Sequence, residues 1–350
     1  MNTKMLITDQ KELEKFYSHN RIWQGIPGIE RTKNGRVFAT FYSGGTTEQL
    51  GNFVPLLSSR DGISFTEPIA VAYNGEDHRC YDPCLWIDPL SRLWFIWAVA
   101  PGHAVYASIC DDPDAETLIW SEEFKIGGDV MMNKPTILST GEWLFPIAVW
   151  RHSLFAVKNV ETTDENRGSF VYKTTNQGKT FQKLGYADVQ NRSFDEHMIL
   201  EMNDLSLRMF VRTSYGIGVS CSCDRGKTWS EGADSGFGGP CSRFFIRRLK
   251  SGRVLLINHY EFTGRNNLTA MLSDDECQTW KWKLLLDERN QVSYPDAAFD
   301  DDGNIYIIYD RERYAAREIL MAKITEEDIM NGSLISEGSE LKRIINKIGE

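Results

Sequence analysis

No apolar run in the chain approaches the ~18 residues that a membrane-spanning helix needs. The opening stretch also lacks the apolar core, roughly 7–15 residues, of a secretory signal. The seven cysteines form no paired framework. Cys80 and Cys84, or Cys221 and Cys223, have no second Cys/His pair at zinc-site spacing. Buried free thiols and a reducing, cytoplasmic setting are the expectation. Among the six histidines there is no HExxH spacing, and no GxxxxGK or helix-opening GxGxxG occurs. Neither a metal nor another cofactor is therefore expected. A net charge of −10 disfavours a broad nucleic-acid or anionic-membrane footprint, so neither partner is expected. A hydrophobic share of 41% rules out a disordered chain.

Helix signals are equally scarce. Lys11 to Ser18 reads as a turn or two of helix. Thr325-Glu326-Glu327-Asp328 reads as a capped helix start, and Leu341 to Ile348 as a helical tail. Between them lie short apolar or alternating strands, such as Leu93 to Trp97 and Asn304 to Tyr309, punctuated by Gly, Asp and Asn.

What the chain has in abundance is aromatic side chains and repetition. A turn followed at once by an apolar strand recurs at Asn34-Gly35, Leu90-Ser91, Thr140-Gly141, Asp204-Leu205, Ser251-Gly252 and Asp302-Gly303. The period is about 50–60 residues, within the range of propeller arrays. A second motif follows the same period and is clearest in Ser222-Cys223-Asp224-Arg225-Gly226-Lys227-Thr228-Trp229. Thr174 to Phe181 is a close copy, Ser273 to Trp280 has Cys277 in place of Gly, and Ser59 to Phe65 is one residue short. A worn copy spans Ser108 to Trp120. The Asp or Asn can accept backbone N–H groups of its own turn, the Gly permits positive φ, and the aromatic plugs an adjoining gap. The motif is a folding device for a hairpin.

One hairpin cannot bury its own face, but a closed ring of them can. Length alone suggests two domains. The sixfold period predicts instead an all-β, six-bladed propeller of four-stranded antiparallel blades over residues 21–329. Residues 1–20 would be an N-terminal extension and 330–350 a C-terminal tail.

The second motif resembles the Asp box of the sialidase (neuraminidase) superfamily, over roughly Arg21 to Ile329. The resemblance implies site residues. Ser293-Tyr294-Pro295-Asp296, ahead of the strand at Asn304 to Asp310, resembles the segment carrying the family's Tyr nucleophile. Glu196, followed by a strand ending in Arg212, resembles the Glu that assists it and the second of three substrate-binding arginines. Arg265, ahead of the strand into Ser273, resembles the third. Two places depart from the pattern. Gly25, in Trp23-Gln24-Gly25-Ile26-Pro27, stands where the family has its first arginine, with Arg21 out of register. On the loop where the family has its acid/base Asp, the candidate is Glu48. Asp82 is the other candidate acid, and Arg79 or Asp82 could replace the missing arginine's function. Asn133 and Lys134, entering the third blade, and Arg243, entering the fifth, are further candidate substrate contacts. His197 is expected in the core behind Glu196, and Arg247-Arg248 on a solvated face.

The resemblance implies a retaining exo-glycosidase acting on a carbohydrate with a carboxylate, sialic acid or a related 2-keto-3-deoxy acid. A carboxylate on the anomeric carbon would repel a carboxylate nucleophile, which a neutral Tyr avoids. A lyase acting on uronate-containing glycans, or a non-catalytic glycan-binding propeller, are the competing expectations on the same scaffold.

Overall fold

The computed structural model describes residues 4–150 and 167–349. They form six antiparallel sheets, each built from strands consecutive in the chain. The innermost strands are Trp23–Arg31, Arg79–Ile87, Thr136–Ile137, Met198–Glu201, Phe245–Arg248 and Val292–Phe299. This is the six-bladed propeller, with very few helices. The first blade has a fifth strand, because Leu6–Ile7 pairs with Ala70–Ala72.

Blades stack face to face, so their central strands are covered on both sides. This is why Leu93–Ala100 is apolar throughout and buried at every position, without the alternation of a half-exposed strand. Aromatics fill the seams. Trp86 and Trp94 of the second blade meet Trp143 and Phe145 of the third, with Trp86 and Trp143 centred 5.0 Å apart. Phe181, from the repeated turn of the third blade, packs on Phe145 at 5.2 Å and on Phe124 of the second at 6.3 Å. Trp280 reaches Phe237 of the fourth blade at 5.1 Å. The seam between the first and last blades is tied by polar bonds. Arg21 donates to Asn346 at 3.0 Å, and the Ile26 and Ile29 amides donate to Asp310 at 2.7 Å and Asp296 at 2.9 Å.

All six recurrent turns join the first and second strands of a blade, and the longer motif joins the third and fourth. In the best copy, Asp224 Oδ1 accepts from the amides of Lys227 and Thr228 at 3.0 and 2.9 Å, while Ser222 Oγ accepts from the Gly226 amide at 2.8 Å. The bonds to its carboxylate, first among them the Thr228 hydroxyl, which donates to Oδ2 at 2.6 Å, favour the charged form and hold Asp224 at about 2. Asp224→Ala should therefore lower the thermal midpoint by about 2 °C at neutral pH. The difference should vanish as pH falls through the ordinary carboxylate range towards 2, where the wild type protonates too. Scanning calorimetry from pH 7 to 2 checks this, and a constant difference would refute it.

The last blade has a helix, Glu326–Asn331, where five others carry the motif. A reciprocal cap between Thr325 and Asp328 starts it, as the sequence suggests. Leu341 to Ile348, expected as a helix, is instead covered by a strand, Glu340–Lys347. It pairs with Glu318–Thr325, whose open edge offers backbone partners that an isolated short helix cannot match. The C-terminal residues thus complete the last blade and do not hang from it as a tail. The cysteines are all free, but Cys221 and Cys223 are exposed and Cys241 is half-buried, so buried thiols describe only the other four. Among the described residues no helix is long and apolar enough to cross a membrane.

Candidate active site

Antiparallel order puts the starts of the inner strands, the ends of the second strands and the loops after them on one face. A cavity of about 290 Å³ opens there, lined among others by Glu48, Arg79, Asp82, Glu196, Arg212, Arg265, Tyr294 and Arg313. The repeated motifs all lie at the opposite face.

Three inner strands share a local distortion that aims side chains into this cavity. The pairing register slips between Gly25 and Gly28, between Tyr81 and Cys84, and between Ser293 and Asp296. Each slip holds a residue followed by proline: Ile26-Pro27, Asp82-Pro83 and Tyr294-Pro295. Proline has no N–H to give to the ladder. The preceding residue takes φ of +59°, +44° and +58° respectively, a strained backbone for residues other than glycine. Glu196 is in the same region at +40°, just before its strand.

Tyr294 and Glu196 meet directly. The Tyr294 hydroxyl donates to Glu196 Oε1 at 2.7 Å, and Arg212 Nη1 donates to the same oxygen at 2.6 Å and to the Tyr294 hydroxyl at 2.8 Å. Burial pushes the phenol above its ordinary value. Arg212 and, more weakly, Arg265 and Arg313 pull it down, while Glu196 pushes it up. Arg265 lies over the Tyr294 ring at 5.4 Å and Arg313 at 4.3 Å. Asp82 is buried, and its carboxyl is pushed up to about 8, first by desolvation. Arg79 opposes that shift, and Glu48 and Glu196 reinforce it. Glu48 sits between Arg79 at 3.9 Å and Arg313 at 3.6 Å.

A family model of BNR repeat-like domains matches residues 35–307. The chain belongs to the BNR repeat-like family. Its fold is also that of solved propellers. A leech intramolecular trans-sialidase in complex with 2,7-anhydro-Neu5Ac superposes with a TM-score of 0.69 at 13% identity, covering 90% of this chain and 70% of that one. The intramolecular trans-sialidase of Ruminococcus gnavus gives 0.66 at 13%, covering 90% and 96%. A protein of unknown function from Dyadobacter fermentans gives 0.66 at 17%, covering 85% and 93%. No curated protein matches the sequence significantly.

In this BNR repeat-like protein seven of the residues singled out in the sequence converge on the cavity: Tyr294, Glu196, Glu48, Arg212, Arg265, Arg79 and Asp82. Three do not line it. Asn133 donates to the carbonyls of Glu196 at 2.7 Å and His197 at 3.1 Å, and accepts from Arg243 Nε at 2.8 Å. Arg243 also bonds the carbonyls of Pro27 and Met132, each at 2.9 Å. Lys134 Nζ bonds the carbonyls of Ile29 and Leu85, with Glu30 at 3.2 Å and Asp296 at 3.3 Å. The expected substrate contacts are thus a buried clamp that joins blades across the axis and holds Glu196 from behind. The reason is length: a Lys or Arg entering at the axis reaches the facing strands' carbonyls before it reaches the cavity. His197 lies in the core, bonded to the Phe170 carbonyl at 2.7 Å, and burial lowers it to about 4.

Arg313, Trp150, Tyr42 and Tyr314 line the cavity without having been singled out. Arg313 is on the loop after the second strand of the last blade, the position Glu48 and Arg265 hold in theirs. That shared position was the available signal. Among the described residues no cluster of three His, Cys, Asp or Glu is placed to hold a metal ion.

Proposed function

We propose that the protein is a retaining exo-glycoside hydrolase that removes a terminal sugar carrying a carboxylate, sialic acid or a related 2-keto-3-deoxy acid. The carrying observation is the contact of Tyr294 with Glu196 at 2.7 Å under the guanidinium of Arg212. A phenol whose proton is held tightly by burial is a poor nucleophile unless a base stands against it, and Glu196 does. Arg212 and Arg265 supply paired N–H donors for the substrate carboxylate. A cavity of about 290 Å³ suits one sugar unit at a chain end better than an internal segment.

The reaction runs in two displacements. Glu196 takes the phenolic proton as Tyr294 oxygen attacks the anomeric carbon, and the leaving oxygen takes a proton from Asp82. Water then attacks the tyrosyl glycoside from the side that the leaving group vacated and gives a proton to Asp82, while the bond to the Tyr294 oxygen breaks and Glu196 returns the phenolic proton. The sequence makes Glu48 the first candidate for the acid. Burial favours Asp82, whose carboxyl desolvation pushes up to about 8, while Glu48 lies between Arg79 and Arg313. Both belong to the proposed machinery.

Incubation with α-ketosides of N-acetylneuraminate and 2-keto-3-deoxy-octulosonate, followed by proton NMR, tests the proposal. The α anomer should appear first and then mutarotate. An inverted first product would sink the double displacement. An ultraviolet-absorbing unsaturated product from uronate oligomers, with no ketoside cleavage, would make the protein a lyase.

A further inference from the structure

Gly25 lies in the inner strand of the first blade and has no positive φ that would call for glycine. Space explains it. A Cβ at residue 25 would lie 2.6 Å from Arg313 Cδ, 2.8 Å from its Nε and 2.9 Å from its Cγ. No flexible end is involved: the conflict is with the middle of a side chain fixed at its far side. Arg313 Nε donates to Asp310 Oδ2 at 2.7 Å, and that oxygen also accepts from the Ile26 amide at 2.7 Å. Nη2 is 3.4 Å from Ser293 Oγ, and Ser293 in turn donates to Asp310 at 2.8 Å. The guanidinium is thus threaded past Gly25 and laid over the Tyr294 ring at 4.3 Å, with its side chain only 11% exposed. Its Nη1 faces Glu48 at 3.6 Å, beyond a direct hydrogen bond.

We infer that Arg313 is a substrate-carboxylate contact that sets specificity for acidic sugars, and that Gly25 is glycine in order to admit it. The inference rests on the hydrolase reading above and deepens it. The resemblance puts an arginine at residue 25; here a guanidinium from the last blade lies against Gly25 and over Tyr294. Arg212, Arg265 and Arg313 then surround Tyr294: one at its hydroxyl and two over its ring. With Nε committed to Asp310, Arg313 offers its Nη edge, and an incoming carboxylate oxygen meets an Nη1 donor that Glu48 has not closed upon. Lys could not copy this, since its single ammonium cannot keep the Asp310 anchor and present a second donor at once.

The test is calorimetric titration of the full chain with N-acetylneuraminate, 2-keto-3-deoxy-octulosonate and glucuronate, and with N-acetylmannosamine as a neutral control. Wild type, Arg313→Ala, Arg313→Lys, Gly25→Ala and the Gly25→Ala/Arg313→Ala double variant are compared, with thermal unfolding to confirm folding. Loss of a charge-assisted bond corresponds to about 10–100-fold weaker binding. That loss is expected for acid sugars in both Arg313 variants and in Gly25→Ala. In the Arg313→Ala background Gly25→Ala should add nothing, since the obstructed side chain is gone. Arg313→Ala binding acids like the wild type, additive effects in the double variant, or a wild type that binds none of the acids would each overturn the inference. A wild type that binds an acid sugar through Arg313 yet releases none from its ketosides would overturn the hydrolase reading and leave the inference standing.

Discussion

Tyr294→Phe will leave the protein folded and lower kcat on acidic ketosides by at least about 10³-fold, with a much smaller change in KM. The substitution keeps the ring on which Arg265 and Arg313 lie. It removes one donor to Glu196, which retains Arg212 at 2.6 Å. A stability change of about 1 kcal/mol is expected from the lost bond, readable by urea unfolding. Without the hydroxyl there is no tyrosyl glycoside, and any residual turnover must come from direct attack by water. Such attack would invert the anomeric centre, so the stereochemistry of the residual product is informative. Glu196→Gln is the companion. It leaves the nucleophile in place without its base, in a site where burial already holds the phenolic proton. On ketosides of acidic phenols, which leave without an acid, its activity should recover partly as pH rises, whereas Tyr294→Phe should not respond. If Tyr294→Phe retained wild-type kcat, the proposed chemistry would be wrong.

The blades were legible in the sequence because each needs the same two punctuation marks. All six first-to-second turns and the five motif turns fall between the strands they predict. The last strand was not legible, since Glu340–Lys347 borrows its backbone partners from Glu318–Thr325 and its own residues read equally well as helix. The same contrast runs through the site. Tyr294, Glu196, Arg212 and Arg265 are what the resemblance to the sialidase superfamily implies, and its segments could be matched because each stands beside a strand whose start is readable. Arg313 could not, because its relation to Gly25 spans the closure of the ring and exists only when the first and last blades meet. Asn133, Lys134 and Arg243 were misplaced for a related reason: residue type and entry point are local, but what an entering polar side chain reaches depends on the strands that face it. The three X-Pro pairs at Ile26, Asp82 and Tyr294 are the clearest clue left in the sequence. Their shared position marks inner strands that turn a side chain out of the ladder and towards the axis.

Asp82→Asn will cost about 10²–10⁴-fold in kcat on ketosides with poor leaving groups, while making the protein more stable at neutral pH. Both effects come from one cause. Asp82 is 4% exposed, and desolvation raises its carboxyl to about 8 although Arg79 pulls the other way. The folded value lies above the ordinary value of about 3.9, so the native state keeps a proton that the unfolded chain gives up. This contribution is fully present below about pH 4 and is lost as pH rises towards 8. Across that window it erodes by up to about 1.4 kcal/mol per pH unit. Asn carries no such proton, so the variant should gain on the wild type progressively from pH 4 to 8 in urea unfolding. Activity should follow the opposite logic. A general acid must still hold its proton, so wild-type kcat should fall above about pH 8, and that limb should be missing in Asp82→Asn. Ketosides of acidic phenols, which leave without help, should hide most of the loss. If Glu48→Gln removes the alkaline limb and Asp82→Asn keeps it, the acid is Glu48. If the variant is no more stable at pH 7 than at pH 4 relative to the wild type, the carboxyl of Asp82 is not held protonated by its burial.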